Sequence, residues 1–300
     1  MEGGAVAAGE RFSTEVWQAG PRFFKAHGHG NDYLVFARGE GWPVTGATVR
    51  RICDRFRGPG ADGVVIVDAA VRPFALRMFN PDGGEFEKSG NGLRVTAAWL
   101  HRAGWVGDEP FAVVVGGARV EMTVHGRDAH GALDISADMG QARFGADAVD
   151  LQEDGALLDP DGRELDAVVV SMGNPHCVVF GRSADELELL GRWLSAHPRF
   201  RHGTNVQLAA VDGGRLDIAI WERGVGHTHS SGTSACAATA AAIHSGRLPS
   251  GRHAVHMEGG VFEVSVDERG SVRLRGPVEE VMEGTLADVL LESLGRAEGP

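Results

Sequence analysis

Short runs rich in Val, Ile and Phe recur along the chain at Tyr33–Ala37, Val64–Val67, Ala75–Phe79, Ala112–Val115, Ala167–Ser171, Cys177–Phe180, Leu216–Trp221, Val261–Val266 and Val272–Arg275. Bounded by Gly, Asp, Asn and Pro, they read as strands. Apolar residues at three- and four-residue spacing predict helices over Ala47–Phe56, Gly92–Ala103, Ala184–Ala196, Thr233–His244 and Leu286–Leu294. Strands outnumber helices and do not alternate strictly with them. The pattern predicts an α+β fold rather than a doubly wound parallel sheet.

Two of the helices are introduced by similar loops. Ser89-Gly90-Asn91-Gly92 opens one and Ser231-Gly232-Thr233-Ser234 the other, 142 positions apart in a chain of 300. This predicts a diverged two-fold internal repeat. Small residues at a helix start let a ligand approach the backbone N–H groups, where the helix dipole favours an anion. A single such loop is also an ordinary turn with an N-cap. Two copies half a chain apart point to one small carboxylate held from both sides.

Composition narrows the chemistry. Asp and Glu number 41 against 29 Lys and Arg, a net charge of −12, and nucleic acid or a membrane surface would want a basic face. Neither is an expected partner. No run approaches 18 apolar residues, and residues 1–21 read as a loose Gly/Ala-rich tail, not a signal peptide. Cys53, Cys177 and Cys236 form no CxxC pair, so neither a disulfide framework nor a cysteine zinc site is expected, and the cytoplasm is the expected compartment. Only Lys25 and Lys88 are available for a pyridoxal Schiff base.

Around the two loops stand Asn80-Pro81-Asp82-Gly83, Gly173-Asn174-Pro175-His176, Thr204-Asn205-Val206 and Glu222-Arg223-Gly224. Asn, Arg and His at strand ends are what a polar, multiply charged substrate requires. Singly, each is also an ordinary turn, a strand-start histidine or a surface pair. Together with Phe24–Asp32, Gly58–Gly63, Ser89–Arg94 and Glu222–Gly226 they form seven ordered motifs, and this order resembles the diaminopimelate epimerase family from about Phe23 to Gly284.

The resemblance implies two pseudo-symmetric α+β domains, each a curved, mostly antiparallel sheet or barrel around a central helix, with the active site in a cleft between them. The expected domains are 22–133 with 277–300, and 134–276. It further implies a cytoplasmic isomerase of lysine biosynthesis, acting without pyridoxal phosphate or other cofactor, and a homodimer. One residue from each domain takes part in proton transfer, removing the α-proton from one face of an amino acid and returning a proton to the other. By position, Asn31, Asn80, Asn174, Asn205 and Arg223 match the substrate-binding residues, the last four those that grip the distal end of diaminopimelate. Gly90, Asn91, Gly92, Gly232 and Thr233 match the loops around the reacting carboxylate. His176 and Glu222 match the partners that shuttle protons for the catalytic pair.

The chain departs from the family at the centre. Where two catalytic cysteines are expected, Ser89 and Ser231 stand, and His227 replaces a glutamate that usually follows the Glu-Arg-Gly motif. A thiol titrates near ~8.5 and is readily lowered, whereas a hydroxyl needs a neighbouring base. Each unit of pKa mismatch costs about 1.4 kcal/mol, so thiolate-type epimerisation is expected to be severely slowed. His176, Glu222 and His227 become the candidate bases. Three readings stay open: a divergent proton-shift isomerase of a specialised pathway, a silent ligand-binding relative, and serines introduced to trap substrate.

His27-x-His29 and His227-x-His229 are each spaced to chelate from an extended segment. No carboxylate set accompanies either pair in sequence, so no metal site is expected.

Overall fold

The computed structural model describes residues 15–152 and 155–296. The expected tail lies mostly outside these residues, but its last part is not loose. Strand Gln18–Gly28 begins within it, and Trp17 and Ala19 are buried. Gln18 and Ala19 pair with Pro43 and Trp42, so this end of the strand is tied into the sheet and adds an indole to the core.

Six α-helices occur among the described residues: α1 (Gly46–Cys53), α2 (Gly90–Arg102), α3 (Ala146–Val149), α4 (Leu187–Ser195), α5 (Gly232–His244) and α6 (Asp288–Arg296). None is long and apolar enough to cross a membrane. The chain forms two compact units. The first takes residues up to His27, Asp32–Val124 and the chain from Glu279 onward. The second takes Gly28–Asn31 and His125–Val278. The division falls at Val124/His125 and Val278/Glu279, where 133/134 and 276/277 were expected.

In the first unit, Glu279–Thr285 lies antiparallel to Gln18–Gly28, which forms a hairpin with Asn31–Arg38. Asn31–Arg38 runs parallel to Val64–Asp68 after a crossover through α1, and Val64–Asp68 pairs antiparallel with Phe74–Phe79. A second crossover, through α2, brings Phe111–Val115 parallel to Phe74–Phe79 and antiparallel to Ala118–Arg127.

The second unit repeats this plan. Asp166–Ser171 and Pro175–Phe180 are antiparallel, and a crossover through α4 leads to Asn205–Asp212, parallel to Pro175–Phe180. Arg215–Glu222 follows antiparallel, and a crossover through α5 leads to Gly251–Met257, parallel to Arg215–Glu222. Gly260–Val266, Ser271–Val278 and Leu133–Gln141 then extend the sheet in antiparallel order. The two-fold repeat is therefore present in the topology, with α2 and α5 in equivalent places and each 13 residues long.

These two helices are buried over most of their length: α5 is made of small, mostly apolar residues on every face, whereas α2 buries Asn91, Arg94 and Thr96 among its apolar residues. In α5 the alanines let the backbones of strands Asp166–Ser171, Pro175–Phe180, Asn205–Asp212, Arg215–Glu222, Gly251–Met257 and Gly260–Val266 approach closely. The outer faces of the sheets carry separate cores. In the first unit Leu34, Phe36, Val64 and Ile66 pack with Val49 and Ile52 of α1 and Leu294 of α6. In the second, Cys177, Val179, Val206 and Leu208 pack with Leu187, Leu190 and Leu194 of α4. Central strands are thus covered on both faces and read as continuous apolar runs, which is why they stood out in the sequence.

Strands not expected from the sequence include Gln18–Gly28, Ala118–Arg127, Leu133–Gln141, Asn205–Asp212 and Gly251–Met257. Several lie one side toward solvent, so charged and polar residues interrupt their apolar positions. Ala118–Arg127, for example, buries Val120, Met122 and Val124 between exposed neighbours. The expected helix over Ala184–Ala196 begins as a 3₁₀ turn, Ala184–Glu186, capped by Ser183.

A charge cluster stitches the first unit. Asp32 accepts from Lys25 Nζ at 2.9 Å and from Arg55 Nη2 at 2.8 Å, and its backbone N–H donates to Asp62 Oδ2. Burial opposes its ionisation, but the hydrogen bonds and charges of Arg55 and Lys25 outweigh it and hold the Asp32 carboxyl at about 2. Asp62 moves the other way, raised by burial and by Asp32.

Two measurements check this account. Asp32→Asn should cost about 2 kcal/mol at pH 7 in urea unfolding. A carboxyl lowered on folding stabilises above its unfolded value, so the deficit should close as pH falls from about 4 toward 2. A deficit unchanged across that window would rule out the ionic origin. The second concerns α4, where a Cβ on Gly191 would meet Trp221 Cγ at 2.6 Å, whereas one on Gly295 in α6 meets nothing within 4 Å. Helix propensity alone favours Ala over Gly by about 1 kcal/mol, and overpacking costs about 1–3. Gly191→Ala should therefore destabilise by up to about 2 kcal/mol while Gly295→Ala stabilises or is neutral.

Candidate functional site

Ser89 and Ser231 are the N-caps of α2 and α5. Each has an extended backbone, and each side chain turns back on the first turn: Ser89 Oγ accepts from Gly92 N–H at 3.1 Å, and Ser231 Oγ from Ser234 N–H at 3.4 Å. A helix start has backbone donors with no carbonyl four residues before them, and the cap satisfies one. Ser231 is buried and Ser89 half-buried. Both hydroxyl oxygens therefore sit in the positive field of a helix N-terminus.

The residues after each cap are fixed by packing. A Cβ on Gly92 would come within 3.2 Å of Tyr33 Cε1 and 3.4 Å of Met78 Sδ, so glycine lets α2 begin close to the sheet without displacing the Tyr33 ring. Asn91, buried, accepts from Arg94 Nη2 at 2.5 Å. Gly90, Gly232 and Thr233 are buried too, with Thr233 Oγ1 3.5 Å from Ser231 Oγ. Asn80 is exposed and starts the turn Asn80–Gly84, whose Gly83 has φ +85° and abuts Gly46 at the head of α1. Asn31 follows the Gly28–Gly30 turn and belongs to the second unit's compact set.

Within the second unit the predicted residues make three local sets of hydrogen bonds. Asn205, at the start of its strand, donates from Nδ2 to Pro175 O at 3.1 Å and accepts Arg223 N–H at 3.0 Å. Arg223, exposed, donates from Nη1 to His202 O. Gly173, at φ +101°, turns the chain so that Asn174 Oδ1 lies 2.9 Å from His176 Nε2. Glu222 ends its strand half-buried and accepts from Thr228 Oγ1 at 3.4 Å.

Burial changes the expected role of His176. It is fully buried, and loss of solvation lowers its imidazole to about 3, against a weaker upward pull from Gln207 and with a further push from the Arg223 charge. The expectation of a base with a neutral-range pKa does not hold for it. A neutral imidazole donates one hydrogen bond and accepts another, and binds a proton weakly.

His227 also departs from expectation. It pairs opposite Trp221, while Thr228 pairs opposite Ile220 and bonds Glu222. Alternation therefore turns His227 and His229 to the face opposite Glu222, where both meet Glu258: His227 Nε2 lies 3.1 Å and His229 Nε2 3.5 Å from its carboxylate. The carboxylate that no neighbouring sequence supplied arrives from the hairpin after Gly251–Met257. The other histidine pair differs, because His29 Nε2 contacts Val261 O at 2.9 Å and its ring packs on Phe262.

Two residues missed in the sequence stand beside these. Gln207 Nε2 donates to Ser234 Oγ at 3.0 Å, and Ser234 N–H caps on Ser231, so a polar contact joins the Asn205–Asp212 strand to the start of α5, while His176 Nδ1 and Gln207 Oε1 are buried without a hydrogen-bond partner among the described residues. The signal was available: Gln207 lies two positions beyond Asn205 on the same strand face. The cysteines do not replace the expected thiols. All three are buried, and burial pushes the Cys53 and Cys177 thiols up to about 12.

A family model described as diaminopimelate epimerase matches residues 23–145 and 168–284, one segment for each repeat. A diaminopimelate epimerase of Desulforudis audaxviator (strain MP104C) is 38% identical over 277 residues, covering 87% of this chain and 98% of the relative. That of Desulfitobacterium hafniense (strain DSM 10664 / DCB-2) is 34% identical over 279 residues, covering 88% and 97%. Among solved structures, a hydroxyproline epimerase from Agrobacterium vitis with bound trans-4-hydroxy-L-proline superposes with a TM-score of 0.65 at 15% identity, covering 89% of this chain and 92% of its own. The last is a likeness of fold, while the family match and the two relatives span most of both repeats, and the chain belongs to the diaminopimelate epimerase family as an enzyme of the isomerase class.

Proposed function

We propose that this enzyme acts at the α-carbon of a small zwitterionic amino acid, LL-diaminopimelate passing to the meso form or a close analogue, without pyridoxal phosphate. Ser89 and Ser231 are assigned to the two reacting positions. The observation that carries the reading is the pair of equivalent buried helices, each with a serine cap and small buried residues in its first turn. Such starts favour a carboxylate through backbone N–H groups and the helix dipole. Asn31, Asn80, Asn174, Asn205 and Arg223 supply amide and guanidinium groups for the rest of the substrate.

With hydroxyls in place of thiols, the proton must pass to a neighbouring group. Glu222, half-buried at its strand end, is the carboxylate assigned to that task in the second unit. Neutral His176 holds the tautomer and hydrogen-bond direction around Asn174 rather than taking the proton. We assign the protein to the cytoplasm and to lysine biosynthesis, consistent with three buried cysteines and no disulfide.

A second reading, binding without turnover, is favoured by one specific feature: both serine hydroxyls accept from backbone N–H groups, and burial holds His176 well below the neutral range. Proton NMR in D₂O separates the two. Loss of the α-proton signal of LL- or meso-diaminopimelate is expected at a slow rate, and Ser89→Cys with Ser231→Cys should raise epimerisation by orders of magnitude. Thermal stabilisation by diaminopimelate with no exchange, even in the double cysteine variant, would sink the enzymatic reading.

The neutral His176 makes a separate prediction. Unfolded, an imidazole gains its proton below about 6.5, whereas the folded one waits until about 3, so stability should fall as pH drops between these values. From pH 7.5 to 5 the loss attributable to His176 should be about 2 kcal/mol, absent in His176→Asn. Equal pH slopes for the two proteins in urea unfolding would show that His176 titrates normally.

A further inference from the structure

His227, His229 and Glu258 lie outside the hydrogen-bonded sets assigned to the reaction. Their Nε2 and carboxylate atoms all lie within 4.8 Å of one another, on side chains that are each about half exposed. We infer that these three side chains form a binding site for one divalent transition ion of the zinc class.

The dimensions fit. Bonds of about 2.0–2.1 Å in a tetrahedral zinc site place neighbouring ligand atoms about 3.3–3.4 Å apart. The two nitrogen–oxygen separations here are 3.1 and 3.5 Å. Two imidazoles and one carboxylate are a donor set suited to zinc, cobalt, nickel or copper rather than calcium or magnesium. Three protein ligands with exposed outer sides leave a fourth position for water.

The backbone is already arranged for it. His227 and His229 are two apart in an extended segment and so share a face, with ring centroids 5.2 Å apart. Glu258 sits in the hairpin turn before Gly259, whose N–H donates to His229 O at 2.8 Å. A Cβ on Gly259 would meet His229 O at 2.9 Å and Ser230 Cβ at 3.1 Å, so glycine lets the turn lie directly against the histidine segment. Gly260, at φ +148°, is likewise tight against the His29 ring. Little chain entropy is lost when an ion joins the three side chains, because the two backbones are already joined.

The ion would cross-link the hairpin turn to the segment that runs from Gly226 to Ser231, the cap of α5. Its ligands face away from Glu222 and Thr228, so it acts on the rigidity of that segment rather than on a substrate. His227 and Glu258 also line an open groove of about 980 Å³, together with Trp221 and Thr228.

The test uses the full chain, stripped with chelator and dialysed. Calorimetric titration with zinc chloride should give one equivalent per chain, and cobalt(II) should give the intense visible absorption of a four-coordinate site. His229→Asn and Glu258→Gln should each weaken zinc at least tenfold and together abolish the cobalt band and the zinc-induced rise in melting temperature, while melting in EDTA stays that of the parent. Absence of stoichiometric binding by the parent overturns the proposal, as does binding of equal affinity in the double variant, which would place the ion elsewhere.

Discussion

Each unit is organised by a helix that is buried over most of its length. The first turns of α2 and of α5 lie inside the protein, and a buried helix start must have its donors answered from within. That one constraint accounts for much of the local sequence. It places a hydroxyl residue at each cap, small residues in the first turn, and alanines where strands press on α5. It also creates the chemistry, because a place where backbone N–H groups converge in a dry environment stabilises an anion far better than water-exposed donors do. Burying the helix and offering donors to an anion are two outcomes of the same arrangement.

The polar network of the second unit follows similar logic. Asn205 ties the Pro175 carbonyl to the Arg223 N–H, and Gln207 on the same strand donates to Ser234. Such buried amides are costly unless paired, so each fixes its neighbours' positions. His176 illustrates the difference between a residue's identity and its environment. An imidazole at the surface would titrate near neutrality, whereas this one remains neutral throughout the ordinary pH range.

The sequence made most of the central architecture legible. Strands covered on both faces, such as Val64–Asp68 and Pro175–Phe180, are continuous apolar runs, and the two serine-capped helices carry a shared signature. Strands open to solvent on one side, such as Ala118–Arg127, were hidden because polar residues alternate with their buried ones. In the candidate site, residues adjacent in sequence were readable, as with Asn174 and His176. Those assembled through tertiary contact were not: Glu258 meets His227 only because a hairpin folds back, and Gln207 acts through a helix 27 residues away. The protonation of His176 was equally hidden, since burial is a property of the fold.

One strand has a consequence for how the chain is made. Ser271–Thr285 belongs to the second unit at its start and to the first at its end, where Glu279–Thr285 completes the edge beside Gln18–Gly28. During synthesis, the partners of Arg22–His27 emerge only after the whole second unit has left the ribosome. At about 5–20 residues per second, this leaves the N-terminal strand without that neighbour for about 10–50 s. The second unit, nearly continuous in sequence, has its strands in hand first, and the first unit closes last. A chain truncated before Glu279 would therefore retain the second unit's strands but leave an unpaired edge in the first, a surface well suited to chaperone capture or aggregation.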